Sequence, residues 1–82
     1  MQYEIEFKPR AIKDLKALPR ATQLRILDRI EALRDNLAGD VKKLTNYTPE
    51  YRLRVGDYRV LFEVAEKTII IYRILHRKDS YK

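Results

Sequence analysis

Residues 51–64 read Tyr51-Arg52-Leu53-Arg54-Val55-Gly56-Asp57-Tyr58-Arg59-Val60-Leu61-Phe62-Glu63-Val64, the signature of a β-hairpin. Apolar and polar positions alternate on either side of Gly56-Asp57, the period of two that marks a strand with one covered face. A two-residue loop beginning with glycine is the type II′ connection between antiparallel strands, because glycine takes the required positive φ without steric cost. The loop sets the register: Val55 opposes Tyr58, Arg54 opposes Arg59, Leu53 opposes Val60, and Arg52 opposes Leu61. Directly opposed residues share a face. Arg52, Arg54 and Arg59 are therefore predicted on one side, with Tyr51, Leu53, Val55, Tyr58, Val60 and Phe62 on the other.

Working outward, Tyr3, Ile5 and Phe7 alternate with Gln2, Glu4, Glu6 and Lys8, which predicts a first strand with one buried face. Pro9 suits the first turn of a helix, and Ala11, Ile12, Leu15 and Leu18 give it a short apolar stripe until Pro19 interrupts. From about Arg20 to Leu37, Ile26, Ile30, Leu33 and Leu37 recur at helical spacing, with Leu24 and Leu27 widening the stripe. Asn36 and Gly39 supply the stop. Lys42-Lys43-Leu44 and a polar turn over residues 45–49 lead into the hairpin. Beyond it, Thr68 to Leu75 is a nearly continuous apolar run, the pattern of a central strand covered on both faces. The turn at Glu66-Lys67 permits two or three loop residues, which put Arg73 on opposite sides of the sheet. Arg73 is thus unassigned, and its ordinary role is to pair with a carboxylate. The whole reads as a single α+β domain over residues 1–82, in the order β-α-α-β-β-β, with a helix hairpin packed on one face of a small antiparallel sheet.

A chain of 82 residues buries only roughly 60–65% of its unfolded surface, so a tight protein partner is expected. It has no cysteine and one histidine, His76, too few ligands for a zinc or iron site; no metal and no cofactor are expected. It has no apolar run of membrane-spanning length and no leader of the secretory kind, which predicts a cytoplasmic protein. The net charge of +6 favours a polyanionic partner. From Lys42 onward there are ten basic residues against five acidic ones, so the second half carries nearly all of that excess.

The arginine face breaks a local rule. Like charges opposed across a ladder cost about 0.2–1 kcal/mol, so Arg54 opposite Arg59 weakens the hairpin unless an anion sits between them. Arginine suits that task because its planar fork can hold two phosphate oxygens at once. Lys42, Lys43, Arg77 and Lys78 extend the positive surface, and Tyr81 supplies a ring on which an exposed base can stack. These residues make single-stranded RNA the expected ligand. His76 can titrate near neutral pH, although a lone histidine at a strand end is more often structural.

Three segments, Val41-Lys42-Lys43-Leu44, Tyr51 to Val60, and His76-Arg77-Lys78-Asp79-Ser80-Tyr81, together resemble the RelE family within the RelE/ParE toxin superfamily. The resemblance spans nearly the whole chain. It implies a toxin of a type II toxin–antitoxin pair, a ribosome-dependent endoribonuclease that cleaves messenger RNA in the ribosomal A site. It also implies a cognate antitoxin partner and metal-independent chemistry: a ribose 2′-hydroxyl attacks the adjacent phosphodiester, leaving a 2′,3′-cyclic phosphate and a free 5′-hydroxyl. Carried over by position, Arg59 matches the phosphate-gripping arginine, Arg77 the arginine assigned to the leaving group, and Tyr81 the tyrosine that orients the nucleotide. Arg52 and Arg54 match a basic pair that is often lysine in the family, where one lysine is the proposed general base. Arginine stays protonated at ordinary pH, so Arg54 is a poor base and the base assignment stays open. The competing readings are a ParE-like toxin that poisons DNA gyrase and a non-catalytic RNA-binding module.

Overall fold

A computed structural model describes residues 2–44 and 49–78. The chain runs β1 (Glu4–Phe7), α1 (Pro9–Lys16), α2 (Arg20–Ala32), β2 (Val41–Lys43), β3 (Tyr51–Val55), β4 (Tyr58–Ala65) and β5 (Thr68–His76). The strands form one sheet in the order β1-β5-β4-β3-β2, and the two helices pack against it. This is the α+β architecture expected from the sequence. The polar turn expected over residues 45–49 lies, apart from Pro49, outside the described residues.

The β3–β4 hairpin has the expected register at every position: Val55 opposes Tyr58, Arg54 opposes Arg59, Leu53 opposes Val60, and Arg52 opposes Leu61. Gly56 sits at φ +57° and Asp57 does not enter the positive region, as a type II′ turn requires. The β4–β5 connection is also a two-residue turn, with Ala65 opposing Thr68 and Glu66 at φ +56°.

Two features of the sheet differ from the expectation. Val41–Lys43 forms a fifth, edge strand against β3; three residues are too short to carry a period of two. The sheet is also mixed rather than wholly antiparallel, because β1 runs parallel to β5. Phe7 reaches only as far as Ile71 on β5, so the rest of that strand's edge needs another cover. The chain turns at Lys8 into α1, with Pro9 at its first positions, and α1 lies along β5 where β1 has ended. Asp14 then does the work of a neighbouring strand: its Oδ2 accepts the Ile74 backbone N–H at 3.0 Å. A strand edge left with a buried N–H costs about as much as a lost hydrogen bond.

The core lies between helices and sheet. Ala11, Ile26, Ile30 and Leu33 meet Leu53, Val55, Val60, Phe62, Ile69, Ile71 and Ile74, which are the inward positions of β3, β4 and β5. Tyr51 stacks on Phe62 at 5.3 Å between ring centroids. The second helix ends at Ala32, five residues before the expected Leu37. The backbone of Arg34 is drawn to the first strand instead, its carbonyl accepting the Tyr3 N–H at 3.0 Å, and Asn36 and Leu37 then take positive φ. Leu24 and Leu27 do not widen the buried stripe; both are exposed, as is Ile12. Nor is β5 covered on both faces: Ile69, Ile71 and Ile74 are buried while Ile70, Tyr72 and Leu75 are only half-buried.

Candidate nucleic-acid interface

The face of the sheet away from the helices carries the arginines. Arg52, Arg54, Arg59, Arg77 and Lys78 together line one open cleft of about 350 Å³. Register explains the convergence. Arg54 and Arg59 are directly opposed on β3 and β4, Leu75 opposes Arg59 from β5, and Arg77, two residues on, returns to the same face. The Arg77 N–H donates to the Asp57 carbonyl at 2.7 Å, which ties the end of β5 to the hairpin tip and holds its side chain beside the cleft.

Arg59 forms the floor at only 4% exposure and, among the described residues, is the one charged residue in the buried set. Its Nη1 donates to the carbonyls of Gly56 and Tyr58, both at 2.9 Å, so the hairpin turn itself fixes the guanidinium. Among the described residues its Nε has no hydrogen-bond partner, and no carboxylate pairs with Arg52, Arg54 or Arg59. Glu63, on the same face of β4 as Arg59, accepts the Tyr72 hydroxyl at 3.1 Å. That bond stabilises the neutral phenol and raises the Tyr72 pKa, with burial and the Glu63 charge acting in the same direction. Arg77 differs from the other three, since its Nε stands 4.0 Å from Asp57 Oδ1 in an exposed ion pair.

Arg73 is excluded from the cleft by chemistry rather than by face. A bulge between Leu61 and Phe62 on one strand and Ile71 and Arg73 on the other lets Arg73 oppose Leu61, on the arginine side. Its guanidinium is spent on Asp14, with Nε to Oδ2 at 2.7 Å and Nη2 to Oδ1 at 3.2 Å. Burial pushes the Asp14 carboxyl up, but the Arg73 and Ile74 hydrogen bonds and the charges of Arg73 and Arg10 outweigh it, and the group is held below its ordinary value. The same bond from Asp14 raises the Arg73 pKa against the opposing effect of burial. Asp14 carries no sequence signal for this role, because a helical aspartate reads as solvated and its partner lies 59 residues away.

Other sequence-derived residues divide. Lys42 opposes Arg52 and so joins the arginine face, whereas Lys43 opposes Tyr51 and takes the other one. His76 opposes Tyr58 on the core side, meeting its ring edge-on at 5.3 Å, and its Nδ1 accepts the Lys78 N–H at 3.3 Å. It is therefore turned away from the cleft. Tyr81 lies outside the described residues. Among the described residues no group of acidic, histidine or cysteine side chains has the makings of a metal site, and no helix is long and apolar enough to cross a membrane.

Residues 5–81 match the family described as ParE toxin of type II toxin–antitoxin system. The chain is also 40% identical to Toxin RelE3 of Methanocaldococcus jannaschii, over 95% of its own length and 94% of the relative's. It belongs to the RelE family of type II toxins. Two solved structures agree with the assignment. One, a RelB–RelE antitoxin–toxin complex from Methanococcus jannaschii, superposes with a TM-score of 0.76 at 42% identity, covering 92% of this chain and 93% of that one. The other, an archaeal RelE–RelB complex from Pyrococcus horikoshii OT3, gives 0.76 at 32% identity, covering 94% and 97%. In this RelE-family toxin the cationic cleft sits on the sheet face opposite the helix pair, and the hairpin turn supplies its floor.

Proposed function

We propose that this toxin is a ribosome-dependent endoribonuclease that cleaves messenger RNA at the arginine cleft, without a metal. The observation that carries the reading is Arg59: a buried arginine, held by two backbone carbonyls and, among the described residues, left without a carboxylate, at the bottom of a cleft lined by four further cations. A protein that buries a charge without a counter-ion has a use for an anion there.

Attack of a ribose 2′-hydroxyl on the adjacent phosphodiester builds negative charge on the phosphoryl oxygens and the departing 5′-oxygen. Fixed cations aimed at that charge stabilise the transition state without having to reorganise. Arg59 and Arg54, opposed across the ladder, are placed to take the phosphoryl oxygens. Arg77, at the end of β5, takes the leaving oxygen, and its loose contact with Asp57 is broken at little cost. Arg52 and Lys78 steer the strand, Tyr81 stacks on the nucleotide, and the open cleft suits single-stranded message. Arginine does not accept the 2′-hydroxyl proton, and His76 faces the core side, so a group of the ribosome or solvent removes it. A cognate antitoxin, of the kind that accompanies the related toxins in their solved complexes, covers the cleft and silences it from within the cytoplasm.

The test is to incubate the toxin with translating ribosomes and map message ends. New 5′-hydroxyl ends are expected, and Arg59→Ala is expected to lower the cleavage rate by about 100-fold or more while weakening binding far less. Equal losses of rate and binding point to a non-catalytic RNA-binding module instead. A ParE-like gyrase poison is the second reading, favoured by the description of the matching family. Intact messages together with gyrase-linked DNA breaks in expressing cells decide for it.

A further inference from the structure

We propose that Lys42 and Arg52 form a second phosphate seat, which holds the phosphate next to the one gripped by Arg54 and Arg59. The proposal rests on the reading of the cleft as a phosphodiester site. Lys42 opposes Arg52 across β2 and β3, as Arg54 opposes Arg59 across β3 and β4, and opposed residues share a face. The two cationic pairs are successive tiers on one surface, offset by two residues of β3. Two residues of an antiparallel strand advance about 6.8 Å, a step that the sugar–phosphate backbone of an extended single strand covers between neighbouring phosphorus atoms.

The tiers also shift sideways. Arg77 follows β5, Arg59 and Arg54 stand on β4 and β3, and Arg52 and Lys42 on β3 and β2. Each tier lies one strand nearer the β2 edge, which defines an oblique path across the sheet. At the second tier the strand cannot drift back toward β5, because Leu61 is the β4 residue opposite Arg52 and Arg73, beyond it, is neutralised by Asp14. Lys42 is exposed and ends the row. The ordinary role of a lysine on a short edge strand is to discourage edge-to-edge pairing, and that role makes no distinction among nucleic acids by the number of their phosphates.

The experiment measures binding of 2′-deoxy oligonucleotides, which resist this cleavage, to the toxin at low salt. One probe is a dinucleotide with a single phosphodiester and the other a tetranucleotide with three. Lys42→Gln is expected to leave dinucleotide affinity unchanged, to weaken the tetranucleotide several-fold, and to reduce the magnitude of its log–log salt slope by about 0.7, the loss of one single-strand phosphate contact. Lys67→Gln, at the far β4–β5 turn, removes the same charge and is expected to change neither. If Lys42→Gln matches Lys67→Gln, or weakens both probes equally, the second seat is rejected. Arg59→Ala separates the two levels. If it weakens both probes while Lys42→Gln weakens neither, only the second seat falls; if it leaves the dinucleotide unaffected, the phosphodiester reading falls and takes the second seat with it.

Discussion

Replacing Arg59 by methionine is expected to stabilise the isolated toxin while removing its activity. Arg59 is 4% exposed as a residue, and withdrawing an ion from water costs several kcal/mol after relaxation. Arg54, directly opposed, adds about 0.2–1 kcal/mol of like-charge repulsion. Against this stand the two carbonyl bonds of Nη1; served by a single nitrogen, they return about 1.5–3 kcal/mol between them, and Nε finds no partner among the described residues. Methionine follows much of the same path with an apolar stem, and the Gly56 carbonyl, at an exposed turn, can bond to water instead. The net gain is about 1–2 kcal/mol, and for a domain of this size each kcal/mol raises Tm by about 4–8 °C. Thermal unfolding of both proteins, with and without inorganic phosphate, measures it. Phosphate is expected to raise the Tm of the parent and to leave that of the variant nearly unchanged. A variant that melts below the parent in phosphate-free buffer shows Arg59 to be a net contributor to the fold, and its burial then says nothing about an anion.

Asp14→Asn keeps an acceptor for the Ile74 N–H but removes the charge facing Arg73, and should destabilise the fold by about 1.5–3 kcal/mol, nearer the lower figure because the Arg73 side chain is one-third exposed. The folded Asp14 carboxyl sits below its ordinary value, so its stabilisation is full above the unfolded aspartate value of about 3.9 and is lost as pH falls through the lower, folded one. Urea midpoints measured from pH 7 down to pH 2 should therefore fall more steeply for the parent than for Asp14→Asn. Gly56→Ala forces a side chain into φ +57° and should cost about 1–2 kcal/mol, whereas Gly56→Asn should cost less because asparagine tolerates that region. Among the described residues the added Cβ meets only the Arg25 Nη1, at 3.4 Å, so the penalty is backbone strain, and an alanine variant as stable as the parent argues against the turn assignment.

Local pattern suffices for the hairpin and its register, and with them for the convergence of Arg52, Arg54 and Arg59. A two-residue loop with glycine first and a strict period of two leave one pairing, and a slip of a single residue turns every core side chain to water. The helices were legible for the same local reason, with Pro9 suiting the first turn of one and Pro19 interrupting it before the other begins. Tertiary structure decided the rest. The parallel pairing of β1 with β5 joins segments more than sixty residues apart, and no pattern within β1 names that partner. The strand at Val41–Lys43 exists only because β3 offers it an edge, and that pairing alone separates Lys42 from Lys43. The end of α2 is settled by a contact between Arg34 and Tyr3, and Leu24 and Leu27 stay exposed because the helix meets the core through Ile26 and Ile30. The bulge in β5 brings Arg73 to the arginine face, and Asp14, arriving from a helix far away in sequence, cancels its charge. Local periodicity sets which way a side chain points; which cations remain available for a phosphate depends on contacts between segments that no window of sequence contains.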